Sequence, residues 1–234
     1  MAGAFRFGGP APAAFDAPSG LALPARVIAA LDAGLEQGAR SELLTGCIVV
    51  QIDNAGVLLD RHGRAAQADV LAHAGQRLAS ALRPGDTVAR LEGGGFAVAL
   101  MPVRRLDLET MVQLAARLQS VLATPFSVDR ARLYITVSVG FCLGTRAPEP
   151  NGRALLDAAQ VAADDALRNG PGAIRAFAPD MARHRADRDA MRDQLESALE
   201  EGQIVPWFQP QISTDTGAIT GFEALARWNH PERG

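Results

Sequence analysis

Only two cysteines occur in 234 residues, Cys47 and Cys142, each inside an apolar, strand-like run. That excludes a disulfide framework and a cysteine-rich metal site, and it favours reduced, buried thiols. No apolar run approaches the length of a membrane span. Excess positive charge is absent too: the net charge is −3, which does not favour a nucleic-acid-binding surface. The four histidines share no ligand spacing: His62, His73 and His184 stand singly, and His230 lies in the C-terminal run Trp228-Asn229-His230-Pro231. The start of the chain is rich in Pro, Gly and Ala and lacks the apolar core of a signal peptide, so the expected location is the cytoplasm.

The chain has enough apolar residues for a core, 48% hydrophobic against 21% charged. Residues 1–15 read as a flexible lead-in. Helices are predicted over 26–38, 65–82, 106–122 and 154–168 from apolar spacing. Strands are predicted over 47–52, 87–91, 96–101, 133–142 and 173–178. Arg83-Pro84-Gly85-Asp86 is a turn, with Pro and Gly at its central positions. Two of the strands flank the glycine run Gly93-Gly94-Gly95 and form a hairpin. Alternating helices and strands with one hairpin predict an α/β sandwich containing an antiparallel pair; periodicity leaves the strand order open. Residues 180–201 read as a charged linker helix whose stripe Met191, Leu195 and Leu199 lies on a neighbour, with a partner-binding coiled coil as the alternative. A strand-turn-strand unit follows, in which Trp207 and Trp228 are expected to pack.

Arg90-Leu91-Glu92-Gly93-Gly94-Gly95-Phe96 resembles the signature hairpin of the GGDEF (diguanylate cyclase) family. Further likeness lies in Asp16-Ala17-Pro18-Ser19-Gly20-Leu21, Gln51-Ile52-Asp53, Leu82 to Leu91, Val137-Ser138-Val139-Gly140 and Leu155 to Gly172. The tail, with Phe208-Gln209-Pro210, Thr216-Gly217 and Gly221 to Gly234, resembles the opening of an EAL domain, the cyclic di-GMP phosphodiesterase family. The resemblance implies a cyclase-like, five-stranded, mostly antiparallel sheet flanked by helices, then a linker and a hairpin from an incomplete barrel. The implied domains are 16–179, a linker 180–201 and an EAL fragment 202–234.

The same resemblance argues against cyclase chemistry. Two-metal phosphoryl transfer needs clustered carboxylates and cationic help for the phosphates. In register, the family's first metal aspartate falls on Gln51 and its signature acids on Gly94 and Gly95. Its guanine-reading residues fall on Leu59 and Ala68, its phosphate lysine on Leu167 and a nearby aspartate on Gln160. Asp53 and Glu92 remain; they read as a strand-end residue and a solvated hairpin residue, with a rebuilt metal pocket as the alternative. The glycine run lacks the following Lys-Ser/Thr and helix of a phosphate loop. A hairpin turn needing positive φ explains it.

Arg83 and Asp86 form the Arg-x-x-Asp pattern that marks the family's inhibitory site for cyclic di-GMP, and Arg117 lies where a second arginine of that site is expected. A guanidinium suits phosphate or a guanine edge, and a carboxylate accepts from guanine nitrogens. The alternative is a helix-end arginine, a common turn and a solvent-facing Arg117. In the tail, Glu223 matches the metal-ligating EAL glutamate, and Gln209 and Arg227 match substrate-contacting positions. Mg or Mn is expected only in a complete EAL domain, since one carboxylate makes no two-metal site, and the chain stops at Gly234. The function expected is a catalytically inactive module of cyclic di-GMP signalling that controls an attached EAL phosphodiesterase. A ligand-free scaffold or homodimerisation domain, and a residual cyclase, are the alternatives. The partners expected are cyclic di-GMP and the EAL domain of the same chain, with neither nucleic acid nor membrane.

Overall fold

The structure is a computed structural model, and it describes residues 20–128 and 131–231. The expected lead-in, the start of the Asp16 motif and the last three residues lie outside the described residues. The chain divides into two units, Met1–Ala182 and Arg183–Gly234.

In the first unit, β1 (Gly46–Ile52) is the centre of a five-stranded sheet. The strand order is β2 (Thr87–Arg90), β3 (Gly95–Ala99), β1, β6 (Val137–Leu143) and β7 (Ile174–Ala176). All neighbours are antiparallel except β6 and β7, which run parallel. The continuous apolar run of β1 follows from burial on both faces. Ile48, Val50 and Ile52 pack with α2 (Ala55–Ala81) and α3 (Leu108–Leu122), through Val70, Leu78, Met111 and Leu118. Cys47 and Val49 pack with α1 (Pro24–Ser41) and α4 (Gly152–Arg168), through Val27, Leu31, Leu155 and Ala159. The sheet is thus the middle of three layers.

Three local expectations are corrected. The second helix begins at Ala55, ten residues before the predicted Ala65, because the chain turns through a break at Gly63 (φ 80°) that divides it into two pieces. The strand predicted over 133–142 starts too early: β6 begins at Val137, residues 134–136 belong to no strand, and Leu133 ends β5 (Ala131–Leu133), which pairs with β4 (Phe126–Val128) in a separate hairpin. Finally, α5 (Pro179–Glu200) does not lay its stripe on a neighbour, since Leu195 and Leu199 are 41% and 61% exposed. Its buried residue is Ala198.

Burial sets the state of the thiols. Cys47 and Cys142 are direct cross-strand partners in β1 and β6, both buried and free. Loss of hydration pushes Cys142 up to about 12 and Cys47 higher still, with the neighbouring Cys142 adding to the shift at Cys47. Both stay protonated and unreactive near neutral pH.

In the second unit, β8 (Ile204–Ile212) and β9 (Ile219–Trp228) form an antiparallel hairpin. Trp207 is 61% exposed, contrary to the expectation that it packs; the Arg227 guanidinium lies 5.9 Å from its ring centroid. Trp228 does pack: its Nε1 donates to Gln203 Oε1 at 3.1 Å, and its ring lies 4.8 Å from His230.

Candidate functional site

Three of the residues in register with a cyclase centre, Gln51, Gly95 and Gln160, meet at one end of the main sheet. Gln51 is flanked across the ladders by Gly95 on β3 and Ser138 on β6. Its odd position turns it, like Cys47 and Val49, toward α4. There Gln51 Nε2 donates to Asp164 Oδ1 at 2.9 Å, and Gln160 Nε2 donates to the same oxygen at 2.8 Å. Asp53 is occupied as well: Oδ1 accepts from Ser138 Oγ at 2.6 Å, and Oδ2 accepts from the Gly172 amide at 3.0 Å. The end of β1 is therefore clasped to α4, to β6 and to the loop before β7.

The signature turn is a single 3-10 stretch, Glu92–Gly94, closed by the Leu91 amide donating to Gly95 O at 2.8 Å. Gly93 and Gly94 have φ of 73° and 89°, a region that ordinary side chains resist. Gly94 is buried, whereas Glu92 is exposed. Leu59 lies half-buried in the first piece of α2, Ala68 is exposed in the second, and Leu167 is 39% exposed on α4. None of these three has a group that reads a base or binds phosphate.

A divalent ion of the kind the family uses does not fit these residues. Hard cations need several oxygen donors, preferably anionic. The structure supplies instead an amide directed at Asp164, a carboxylate already accepting two hydrogen bonds, and glycines. Among the described residues, no group of three or more His, Cys, Asp or Glu could hold a metal ion. Asp164 was not singled out from sequence, because only the fold brings α4 over Gln51.

A different arrangement surrounds Arg83, Asp86 and Arg117. All three line one cavity of about 450 Å³, within the range of small-molecule sites. Arg83 and Asp86 come from the turn between α2 and β2, and Arg117 from α3. Asp86 accepts twice at one oxygen: its Oδ1 takes the Arg83 Nε at 3.2 Å and the Met101 amide at 2.8 Å. Arg83 also donates to the Met101 carbonyl, and Arg117 donates to Ala81 O at 2.7 Å. The wall between β3 and α3 adds Arg105, which the sequence reading missed. The signal was there, as Arg104-Arg105 just before a helix start. Every one of the chain's 23 basic Lys and Arg residues is arginine, so planar, forked donors serve wherever an anion is held.

Asp107 caps α3. Its Oδ1 accepts from the Thr110 amide at 2.9 Å and hydroxyl at 2.6 Å, and its Oδ2 from Arg105 Nε at 3.1 Å. The Thr110 hydrogen bonds, with Arg105 contributing less, hold this carboxyl down at about 2.

In the second unit, Gln209 and Glu223 are direct cross-strand partners, and Arg227 follows Glu223 by four residues on the same strand. The two-residue period places all three on one face of the hairpin. The other face carries Phe208 and Phe222, 64% and 62% exposed. The residues in register with EAL chemistry are thus gathered on one face, and among the described residues they belong to no group of three or more His, Cys, Asp or Glu that could hold a metal ion.

Comparison with known proteins agrees with this architecture. Residues 13–172 match the diguanylate cyclase GGDEF domain family and residues 192–234 match the EAL domain family. The chain is similar to MucR of Pseudomonas aeruginosa, a bifunctional diguanylate cyclase/cyclic di-GMP phosphodiesterase, with 27% identity over 206 residues, covering 87% of this chain and 29% of MucR. It is 30% identical over 191 residues to the cyclic di-GMP phosphodiesterase PdeR of Escherichia coli, covering 81% of this chain and 28% of PdeR. The GGDEF domain structure of PA1120 (TpbB or YfiN) from Pseudomonas aeruginosa superposes with a TM-score of 0.68 at 24% identity, over 74% of this chain and 99% of that one. The chain spans 22% to 30% of the length of the curated relatives it matches. Among the described residues, no helix is long and apolar enough to cross a membrane. With the fold, the signature hairpin and the family match in agreement, the chain belongs to the GGDEF diguanylate cyclase domain family, followed by sequence of an EAL domain.

Proposed function

We propose that this GGDEF domain is a non-catalytic module of cyclic di-GMP signalling that binds the dinucleotide and regulates an EAL phosphodiesterase on the same polypeptide. The observation that carries the reading is the cavity in which Arg83, Asp86 and Arg117 meet, from two separate stretches of chain. Guanidinium groups there can hold phosphates or the Hoogsteen edge of guanine. The named relatives support the signalling context, since MucR and PdeR both act on cyclic di-GMP. The loss of catalysis rests on Gln51, Gly94, Gly95 and Leu167 standing where acids and a lysine are needed. Work on a metal-assisted reaction would fall to Asp53 and Asp164, and both are engaged in hydrogen bonds that hold the sheet to its surroundings.

Titration calorimetry with cyclic di-GMP tests the reading. Binding is expected for the wild type. Arg83→Ala should weaken it at least about tenfold, the loss of one or two charge-assisted hydrogen bonds. A folded wild type that shows no heat at high ligand concentration would retire the proposal.

One set of contacts favours a second reading, a ligand-free scaffold. Arg83 and Asp86 together tie the end of α2 to Met101, just beyond β3. In that role Arg83→Ala lowers the melting temperature while no ligand binds either form. The thermal and calorimetric measurements separate the two.

A further inference from the structure

The cavity has a third cation besides Arg83 and Arg117. Its lining holds three guanidiniums, those of Arg83, Arg105 and Arg117, against one carboxylate, Asp86. That carboxylate is 3% exposed and already pairs with Arg83. Of the other two, Arg105 pairs with Asp107, which stands outside the lining, and Arg117 donates to the Ala81 carbonyl. This local excess stands out in a chain whose net charge is −3.

Arg105 differs from its two companions in how it is held. Arg83 and Arg117 each give a terminal nitrogen to a backbone carbonyl. Arg105 is held only through Nε, by Asp107 Oδ2. Among the described residues its two terminal nitrogens have no partner. Asp107 is itself immobilised as the cap of α3 by Thr110. The guanidinium is thus fixed at its base, with the edge best suited to grip a phosphate left open. Its side chain is 88% exposed, so a ligand reaches it without rearrangement.

We infer that Arg105 is a ligand-contacting residue of this cavity, gripping a phosphate of the dinucleotide through its open terminal edge. Three guanidiniums outnumber the two carboxylates that pair with them, Asp86 and Asp107, which leaves the cavity a positive balance toward an anionic ligand. Asp107 is the positioning residue, acting through Arg105. The inference rests on the cavity being the dinucleotide site.

The test compares wild type, Arg105→Ala and Arg83→Ala by calorimetry with cyclic di-GMP, at about 50 and about 200 mM salt, with melting temperature recorded for each. Arg105→Ala should bind about tenfold more weakly and lose less affinity as salt rises, with an unchanged melting temperature, because a single exposed ion pair adds little stability. A merely structural arginine would shift melting and leave the salt dependence alone. If Arg105→Ala binds like wild type while Arg83→Ala does not, the role of Arg105 is overturned and the cavity reading stands. If the folded wild type binds nothing, both are overturned.

Discussion

Gly140→Ala prevents stable folding of the first unit. Gly140 lies in β6, directly under α4, and a Cβ there would sit 1.9 Å from the Ala163 nitrogen and 2.5 Å from the Ala162 carbonyl carbon. Both obstacles are helix backbone, which cannot rotate aside as a side chain can. Relief requires moving α4 away from the sheet, and that opens the core built by Leu155, Ala159, Ala162 and Ala163 against Cys47 and Val49. Close-packed interiors penalise both the clash and the gaps left by displacement. We expect a loss of about 4 kcal/mol or more, at the severe end for a point substitution. Denaturant titration of the purified variant, or its failure to appear in the soluble fraction, reads this out. Gly95→Ala is the control in the same sheet. Its nearest contacts are at 3.4 Å or more, so its cost should stay within about 1 kcal/mol. Equal stabilities for Gly140→Ala and wild type would show that β6 and α4 do not approach this closely.

Gly94→Asp, which replaces a missing signature acid, should destabilise the protein by about 3 kcal/mol and yield no cyclase. The backbone at Gly94 has φ 89°, and its Cβ would lie 3.3 Å from Ala55 Cβ and 3.7 Å from Leu71 Cδ2. The strain of a side chain in that conformation adds to the desolvation of a carboxylate among apolar groups. Among the described residues, no group of three or more His, Cys, Asp or Glu could hold a metal ion to offset it. Adding Gly95→Glu and Gln51→Asp restores the metal and signature acids but leaves Leu59, Ala68, Gln160 and Leu167 in place, and it removes the Gln51 hydrogen bond to Asp164. Incubating the triple variant and the wild type with GTP and Mg²⁺ or Mn²⁺ should give no cyclic di-GMP by chromatography. Turnover above background in the wild type would overturn the assignment of a non-catalytic domain; turnover in the triple variant alone would show that Leu59, Ala68 and Leu167 do not block the reaction.

The two predictions concern glycines whose meaning was legible to different degrees. The turn at 93–94 could be read from a glycine run between two alternating segments, because positive φ is a local property of the backbone. The role of Gly140 could not: its constraint comes from α4, which follows it by more than a dozen residues and lies across the sheet. The alanines of α4 are the other half of that contact, small enough to let the helix down onto the strand. For the same reason the early start of α2 was missed, since its first turns precede the break at Gly63 and lack a strong apolar stripe. The short β4–β5 hairpin gives no periodic signal of its own, and the strand expected over 133–142 begins at its last residue because apolar residues alternate from Leu133 through β6.

At the candidate sites the division is similar. The residue types at 51, 94, 95, 59, 68 and 167, and the Arg-x-x-Asp pattern at 83–86, stand in the chain for anyone to read, and they decide which atoms are available for chemistry. Linear order does not say which of those atoms meet. Folding delivered Asp164 to Gln51 from 113 residues away, and it set Arg105 beside Arg83 and Arg117 around one cavity. Side-chain chemistry is carried by each residue wherever it goes, whereas proximity across a sheet or between a turn and a helix exists only once the layers have packed.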